Sequence, residues 1–208
     1  MRRHVSVAMF ALLVVMPLIA QTPKGWRVRA DRSTSASDPD AAGAIKFMAT
    51  GTAFHAVNPQ AAVFWNPANA IAGNYSLKGT FTLLKPSDQT NYYGLVFGGS
   101  ELEGAGQNYV YFVVAQDGTW LIKRRSGAST SDVAKAANAA VKKPDATGKS
   151  TNALEVRVQA DKIEYVVNGV TVHTTPKAGP TAKTDGNYGM RVNHQLEVHV
   201  DGFGASKL

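Results

Sequence analysis

From Trp26 onward the chain is a series of short segments in which apolar and polar residues alternate, each closed by turn residues. A period of two suits a half-buried strand, and many short strands separated by turns suit an antiparallel sandwich or barrel. Asn74 to Leu83 sets Tyr75, Leu77, Phe81 and Leu83 on one face and Ser76, Lys78, Thr80 and Thr82 on the other. Asn108 to Arg125 reads as a hairpin around Gln116-Asp117-Gly118, because an Asp-Gly pair accepts the positive φ that tight hairpin turns demand. Leu154 to His173 is a meander with turns at Ala160-Asp161 and Asn168-Gly169, and Asn187 to Phe203 adds two more strands. Helix signals are nearly absent. The exception is Ser131 to Lys143, alanine-rich with Asp132 as a cap, for which helix and ordered loop are equally compatible with propensity. No repeat of solenoid or propeller length is present.

A chain of 208 residues is expected to form one domain. The absence of cysteine excludes a disulfide scaffold, a thiolate zinc site and a cysteine nucleophile. Met1-Arg2-Arg3-His4 followed by the apolar Val5 to Ala20 has the layout of a secretory signal, so residues 1–20 are expected to be removed and the protein to be periplasmic or extracellular. Without Arg2 and Arg3, 20 basic and 15 acidic residues remain, and the net charge falls from +7 to +5. Residues 21–40 are polar apart from Trp26-Arg27-Val28 and read as a flexible lead-in, leaving 41–208 as the folded domain. Neither nucleic acid nor stable membrane insertion after cleavage is expected of a charge spread this thinly, and a monomer is the expected state.

Several stretches resemble the bacterial concanavalin A-like domains known as domain of unknown function 1080, also labelled 3-keto-disaccharide hydrolase or family 16 glycoside hydrolase-like. They are Asn74-Tyr75-Ser76, Tyr93 to Gly99, Tyr109-Val110-Tyr111-Phe112 with Asp117-Gly118 and Leu121 to Arg124, Leu154 to Val158 with Val167-Asn168-Gly169, and Tyr188 to His194 with Val198 to Phe203. The resemblance implies an all-β, two-sheet antiparallel jelly-roll sandwich with a concave face that often holds a saccharide in relatives. It also allows a structural calcium, for which no ligand cluster can be named. No other cofactor is expected.

Catalysis has little support in the residues. A family 16 glycosidase needs a Glu-x-Asp-x-x-Glu run, and none occurs. Glu101 and Glu103, two apart, would lie about 6.6 Å apart on an extended strand and fit an inverting pair, but they sit in a Gly-flanked segment that reads as a loop. His199-x-Asp201 matches half of a two-histidine, one-carboxylate iron triad with no later histidine to complete it, and Glu197, His199 and Asp201 read as a solvent-facing strand face. No G-x-S-x-G elbow or phosphate cradle is present. Glu101, Glu103 and His199 are therefore weak catalytic candidates, and no metal site is expected.

Saccharide binding asks for aromatic side chains and a few amides or guanidinia in a shallow groove. Tyr109 and Tyr111 share one strand face, Arg191 and Asn193 share another, and Trp120 and Arg124 share a third; with His194 these make Tyr109, Tyr111, Trp120, Arg191, Asn193 and His194 the candidate ligand contacts. Core packing accounts for the aromatic members equally well, and Arg191 could instead pair with Glu155 or Glu197 across strands. Lys123-Arg124-Arg125 and Lys142-Lys143 could contact anionic polysaccharide, lipid headgroups or nucleic acid, but charge this thinly spread reads better as a solvated face. The resulting expectation is a secreted, non-catalytic carbohydrate-recognition module; the rival readings are a glycosidase-like hydrolase or lyase acting on a disaccharide, and a structural envelope domain.

Overall fold

The computed structural model describes residues 22–208. The signal expected at residues 1–20 lies outside them. Two seven-stranded antiparallel sheets face each other, as the alternation and the resemblance imply. The first, sheet A, runs in the order β1 (Arg27–Asp31), β4 (Ala61–Ile71), β13 (Gly186–Val192), β6 (Tyr92–Ser100), β7 (Asn108–Ala115), β8 (Thr119–Ser126) and β9 (Ser129–Ala137). The second, sheet B, runs β12 (Val170–Pro176), β11 (Lys162–Val167), β10 (Ser150–Val158), β5 (Tyr75–Lys85), β14 (Leu196–Lys207), β3 (Ala53–Asn58) and β2 (Lys46–Thr50). The final strand β14 sits between β5 and β3, deep in sheet B, so chain ends far apart in sequence close the sandwich.

The hairpins form where turn chemistry places them. Gly118 takes φ 88° between β7 and β8, and Asn168 (φ 50°) with Gly169 (φ 83°) joins β11 to β12, two positions that need the left-handed region. Between the sheets lie Phe64, Tyr75, Leu77, Phe81, Leu83, Leu95, Phe97, Phe112, Ile122 and Tyr165, all fully buried. Each such aliphatic or aromatic side chain contributes roughly 1.5–3 kcal/mol on leaving water. The Tyr75 hydroxyl is satisfied by donating to the Thr184 carbonyl at 2.6 Å.

Two expectations are corrected. Ser131 to Lys143 is neither helix nor wholly loop: Ser129–Ala137 pairs with β8 as the edge strand β9, with a bulge opposite Ile122 and Lys123. An edge strand needs ladder bonds on one side only, so small alanines suffice there, and exposed Lys135 guards the edge. The lead-in contains β1, whose register against Ala61–Trp65 follows the alternation Arg27, Arg29, Asp31.

Sheet A is apolar on both faces. Val110, Phe112 and Val114 of β7 point into the sandwich, while Tyr109, Tyr111, Val113 and Ala115 point outward and cluster with Val63, Trp65, Tyr92, Val96, Leu121 and Leu102 from the β6–β7 loop. Strands buried on both sides read as unbroken apolar runs, as Tyr92–Phe97 and Tyr109–Ala115 do.

Candidate functional site

On the outer face of sheet A, three guanidinia gather around one carboxylate. Alternation along β1, β13 and β8 turns Arg29, Asp31, Arg191 and Arg125 to this side, above the apolar cluster. Arg191 Nη1 donates to Asp31 Oδ2 at 2.5 Å and to the Tyr109 hydroxyl at 3.1 Å, while its Nε donates to Asn193 Oδ1 at 3.2 Å. Arg125 and Arg29 approach the other carboxylate oxygen at 3.7 and 3.8 Å. Arg29 also donates to the carbonyls of Leu102 and Gly104, which ties the β6–β7 loop to the strand. The Gln107 amide, oriented with its oxygen toward the guanidinia, accepts from Arg125 at 2.9 and 3.1 Å and from Arg29 at 3.0 Å. The Arg191 guanidinium lies over the Tyr111 ring, 5.2 Å from its centroid. Asp31 and Arg191 side chains are 9% and 12% exposed, against 17% for Arg125 and 25% for both Arg29 and Lys123.

Electrostatics at this cluster follow from burial opposed by charge. Burial works to raise the Asp31 carboxyl, but Arg191, through both charge and hydrogen bond, and then Arg125 and Arg29 outweigh it and hold Asp31 below its ordinary 3.8. Burial works to lower Arg191, and the phenols of Tyr109 and Tyr111 together with Asp31 outweigh it, so the guanidinium is held more firmly protonated than usual. The Tyr109 hydroxyl is pushed up to about 12, mainly by burial. Asp31 is therefore a fixed anion and Tyr109 a neutral donor. The arrangement can bind and orient polar groups, but it offers no proton that moves near neutrality.

The sequence candidates separate. Tyr109, Tyr111, Arg191 and Asn193 meet in this cluster. Trp120 is placed on the opposite face of its strand, 4% exposed in the inter-sheet core and stacked on His173 with centroids 5.0 Å apart. Its partner in alternation, Arg124, bonds Asn108 and the Lys183 carbonyl. His194 sits at the edge of the site, its two ring nitrogens 2.8 and 3.1 Å from Asp38 and Asp40, where it holds the segment after β1 against the β13–β14 turn. Glu101 and Glu103 lie exposed in the β6–β7 loop, with Glu103 3.5 Å from Arg27. His199 is on the outer face of sheet B beside Asp201 at 3.3 Å, across the ladder from His55. Arg191 pairs with Asp31 rather than with Glu155 or Glu197, because those two glutamates face outward from sheet B, a sandwich thickness away.

Sequence reasoning missed Asp31, Arg29 and Gln107. The period-2 spacing of Arg27, Arg29 and Asp31 was the available signal for the first two. Among the described residues no group of three His, Asp or Glu side chains is placed to hold a metal ion, and no helix is long and apolar enough to cross a membrane. An open groove of about 440 Å³ lies elsewhere, between Ala41–Ala44, Lys85–Asp88 and Gln195–Glu197, and no aromatic side chain lines it.

No family model matches the chain, and no curated protein matches it in sequence. Solved structures do. The carbohydrate binding module CBM66 from Bacillus subtilis superposes with a TM-score of 0.61 at 9% identity, covering 88% of this chain and 96% of that one. A Bacillus subtilis protein of unknown function with a galectin-like fold gives 0.55 at 14% identity, with 88% and 90% covered. Alginate lyase A1-II' gives 0.54 at 15% identity, with 88% and 95% covered. At these identities the likeness establishes the fold alone: a two-sheet jelly-roll sandwich.

Proposed function

We propose that this protein is an exported, non-catalytic saccharide-binding module whose ligand lies on the outer face of sheet A. The Met1–Ala20 signal motif supports a periplasmic or extracellular location, and the quoted strand-and-turn motifs support kinship with the domains of unknown function 1080. The observation that carries the reading is the network of Arg191, Asp31, Tyr109, Asn193, Arg125 and Gln107 on a sheet face, where guanidinium and amide groups are held rigidly by strands and by one another. Sugar hydroxyls are recognised by such fixed donors and acceptors. That sandwiches of the same fold include a carbohydrate binding module and the carbohydrate recognition domain of Emp46p adds support by analogy.

Binding without turnover fits the carboxylates. Glycoside hydrolysis of the usual kind needs two carboxyl groups flanking the bond, one of them protonated. Asp31 is held ionised by three arginines, and the other carboxylate on the described strands of this face, Asp132, is mostly exposed and paired with Lys123 at 2.8 Å.

The test is affinity electrophoresis of the chain from Gln21 onward through gels carrying a panel of neutral and acidic polysaccharides. At least one polymer is expected to retard it, and Asn193→Ala is expected to weaken that retardation without lowering the melting temperature. Unchanged mobility across the whole panel overturns the reading.

A further inference from the structure

We infer that the saccharide bound on the outer face of sheet A is a polyuronate, held by its ring carboxylates. The inference rests on the saccharide-binding reading above and adds the chemistry of the ligand.

Two observations carry it. The aromatic rings of the site are not open platforms: Tyr109 is fully buried, Tyr111 is 6% exposed, and the Arg191 guanidinium covers the Tyr111 ring. A neutral sugar would find no ring face to stack on here. What a ligand meets first is cationic. Arg27, Arg29, Lys123, Arg125, Lys135 and Arg191 are all carried on this face, against Asp31 and Asp132 on the strands and Glu101 and Glu103 on the bordering loop.

The second observation is the imbalance at the centre. Three guanidinia share a single carboxylate, and the remaining nearby acceptor, Gln107, is neutral. Among the described residues, no hydrogen bond is made by Arg191 Nη2 or by Arg125 Nη1, so each retains donors from its five N–H groups. Guanidinia that are mostly withdrawn from water and short of counter-charge favour an incoming carboxylate, since a charge-assisted bond there is about twice as strong as a neutral one.

Recess chooses the class of anion carrier. Arg191 and Arg125 are 12% and 17% exposed, lying along the sheet rather than projecting from it. A duplex or a bilayer surface, broad and rigid, reaches projecting cations; a single glycan strand can settle along the sheet and present carboxylates to recessed ones. The planar guanidinium also matches a carboxylate in a bidentate fork.

The decisive experiment compares polygalacturonate and polymannuronate with their carboxyl-reduced, uncharged counterparts, alongside dextran sulfate, duplex DNA and neutral glucans, by titration calorimetry on the chain from Gln21 onward. A polyuronate is expected to bind at least about tenfold more tightly than its reduced form, the effect of one charge-assisted bond. Lys123→Gln and Arg125→Gln should each weaken it about tenfold on the same arithmetic, whereas Lys46→Gln and Lys78→Gln on sheet B should leave it unchanged. Equal binding of native and reduced polymers, or of neutral glucans alone, overturns the inference while leaving saccharide binding intact. Preference for dextran sulfate or DNA also overturns it. Failure of every saccharide to bind removes both readings.

Discussion

The two outer faces of this sandwich handle charge in opposite ways. Sheet B carries a balanced, wet ladder: Arg157 meets Glu155 at 2.8 Å and Glu164 at 3.8 Å, Lys162 meets Glu164 at 2.7 Å, and His55 and His199 meet Glu197 and Asp201 at 3.1 and 3.3 Å. Sheet A instead sets cations in excess over an apolar layer of Val63, Trp65, Val96, Tyr109 and Tyr111. Paired charges in water contribute little to stability. Unequal charges partly withdrawn from water are costly to leave uncompensated, which is the physical ground of the binding proposal for that face.

The contrast can be broken most forcefully at Arg191. Arg191→Met removes the main counter-charge of a carboxylate whose side chain is 9% exposed, and unfolding in urea should show a loss of about 3 kcal/mol. A loss below that of an ordinary surface pair would place the two faces on the same footing.

Acid provides a finer probe. Asp31 titrates below 3.8 in the fold and near 3.8 in the unfolded chain, so its contribution is present above the unfolded value and disappears as pH falls through the folded one. Stability of the parent protein should therefore decline more steeply below about pH 4 than that of Asp31→Asn. Parallel pH profiles for the two proteins would show that the arginines do not hold the carboxyl down.

The smallest effect is expected on sheet B. Arg157→Ala breaks pairs with two glutamates, yet its side chain is 37% exposed, and the change in unfolding free energy should stay within about 0.5 kcal/mol. A cost comparable to that of Arg191→Met would mean that the ladder of sheet B is as strongly coupled as the cluster of sheet A.

Legibility in the sequence tracked how local each feature is. The faces of Tyr109 and Tyr111, of Arg191 and Asn193, and of the β5 residues follow from alternation alone, as do the turns at Asp117-Gly118 and Asn168-Gly169. Edge strands were harder. β1 and β9 each take ladder bonds from one neighbour and bury little, so Arg27–Asp31 lacked an apolar run and Ser129–Ala137 looked like helix or loop. Trp120 shows the limit of composition-based site reasoning: alternation places it correctly beside Ile122, but which side of β8 faces sheet B is not written in the strand itself. His194 was expected as a ligand contact, and the structure engages its two ring nitrogens with Asp38 and Asp40.

By itself, then, the sequence determined the all-β class, most of the strands, their turns and the partition of side chains between strand faces, because each depends on neighbours two residues away or on a turn's φ. Only the tertiary structure decided which face is outside and which charges meet there. Asp31 and Arg191 are 160 residues apart and touch because β4 lies between their strands in one sheet, a pairing set by long-range ladder order and not by any local pattern. The same assembly turned a net charge that looks diffuse along the chain into a cationic layer on one face.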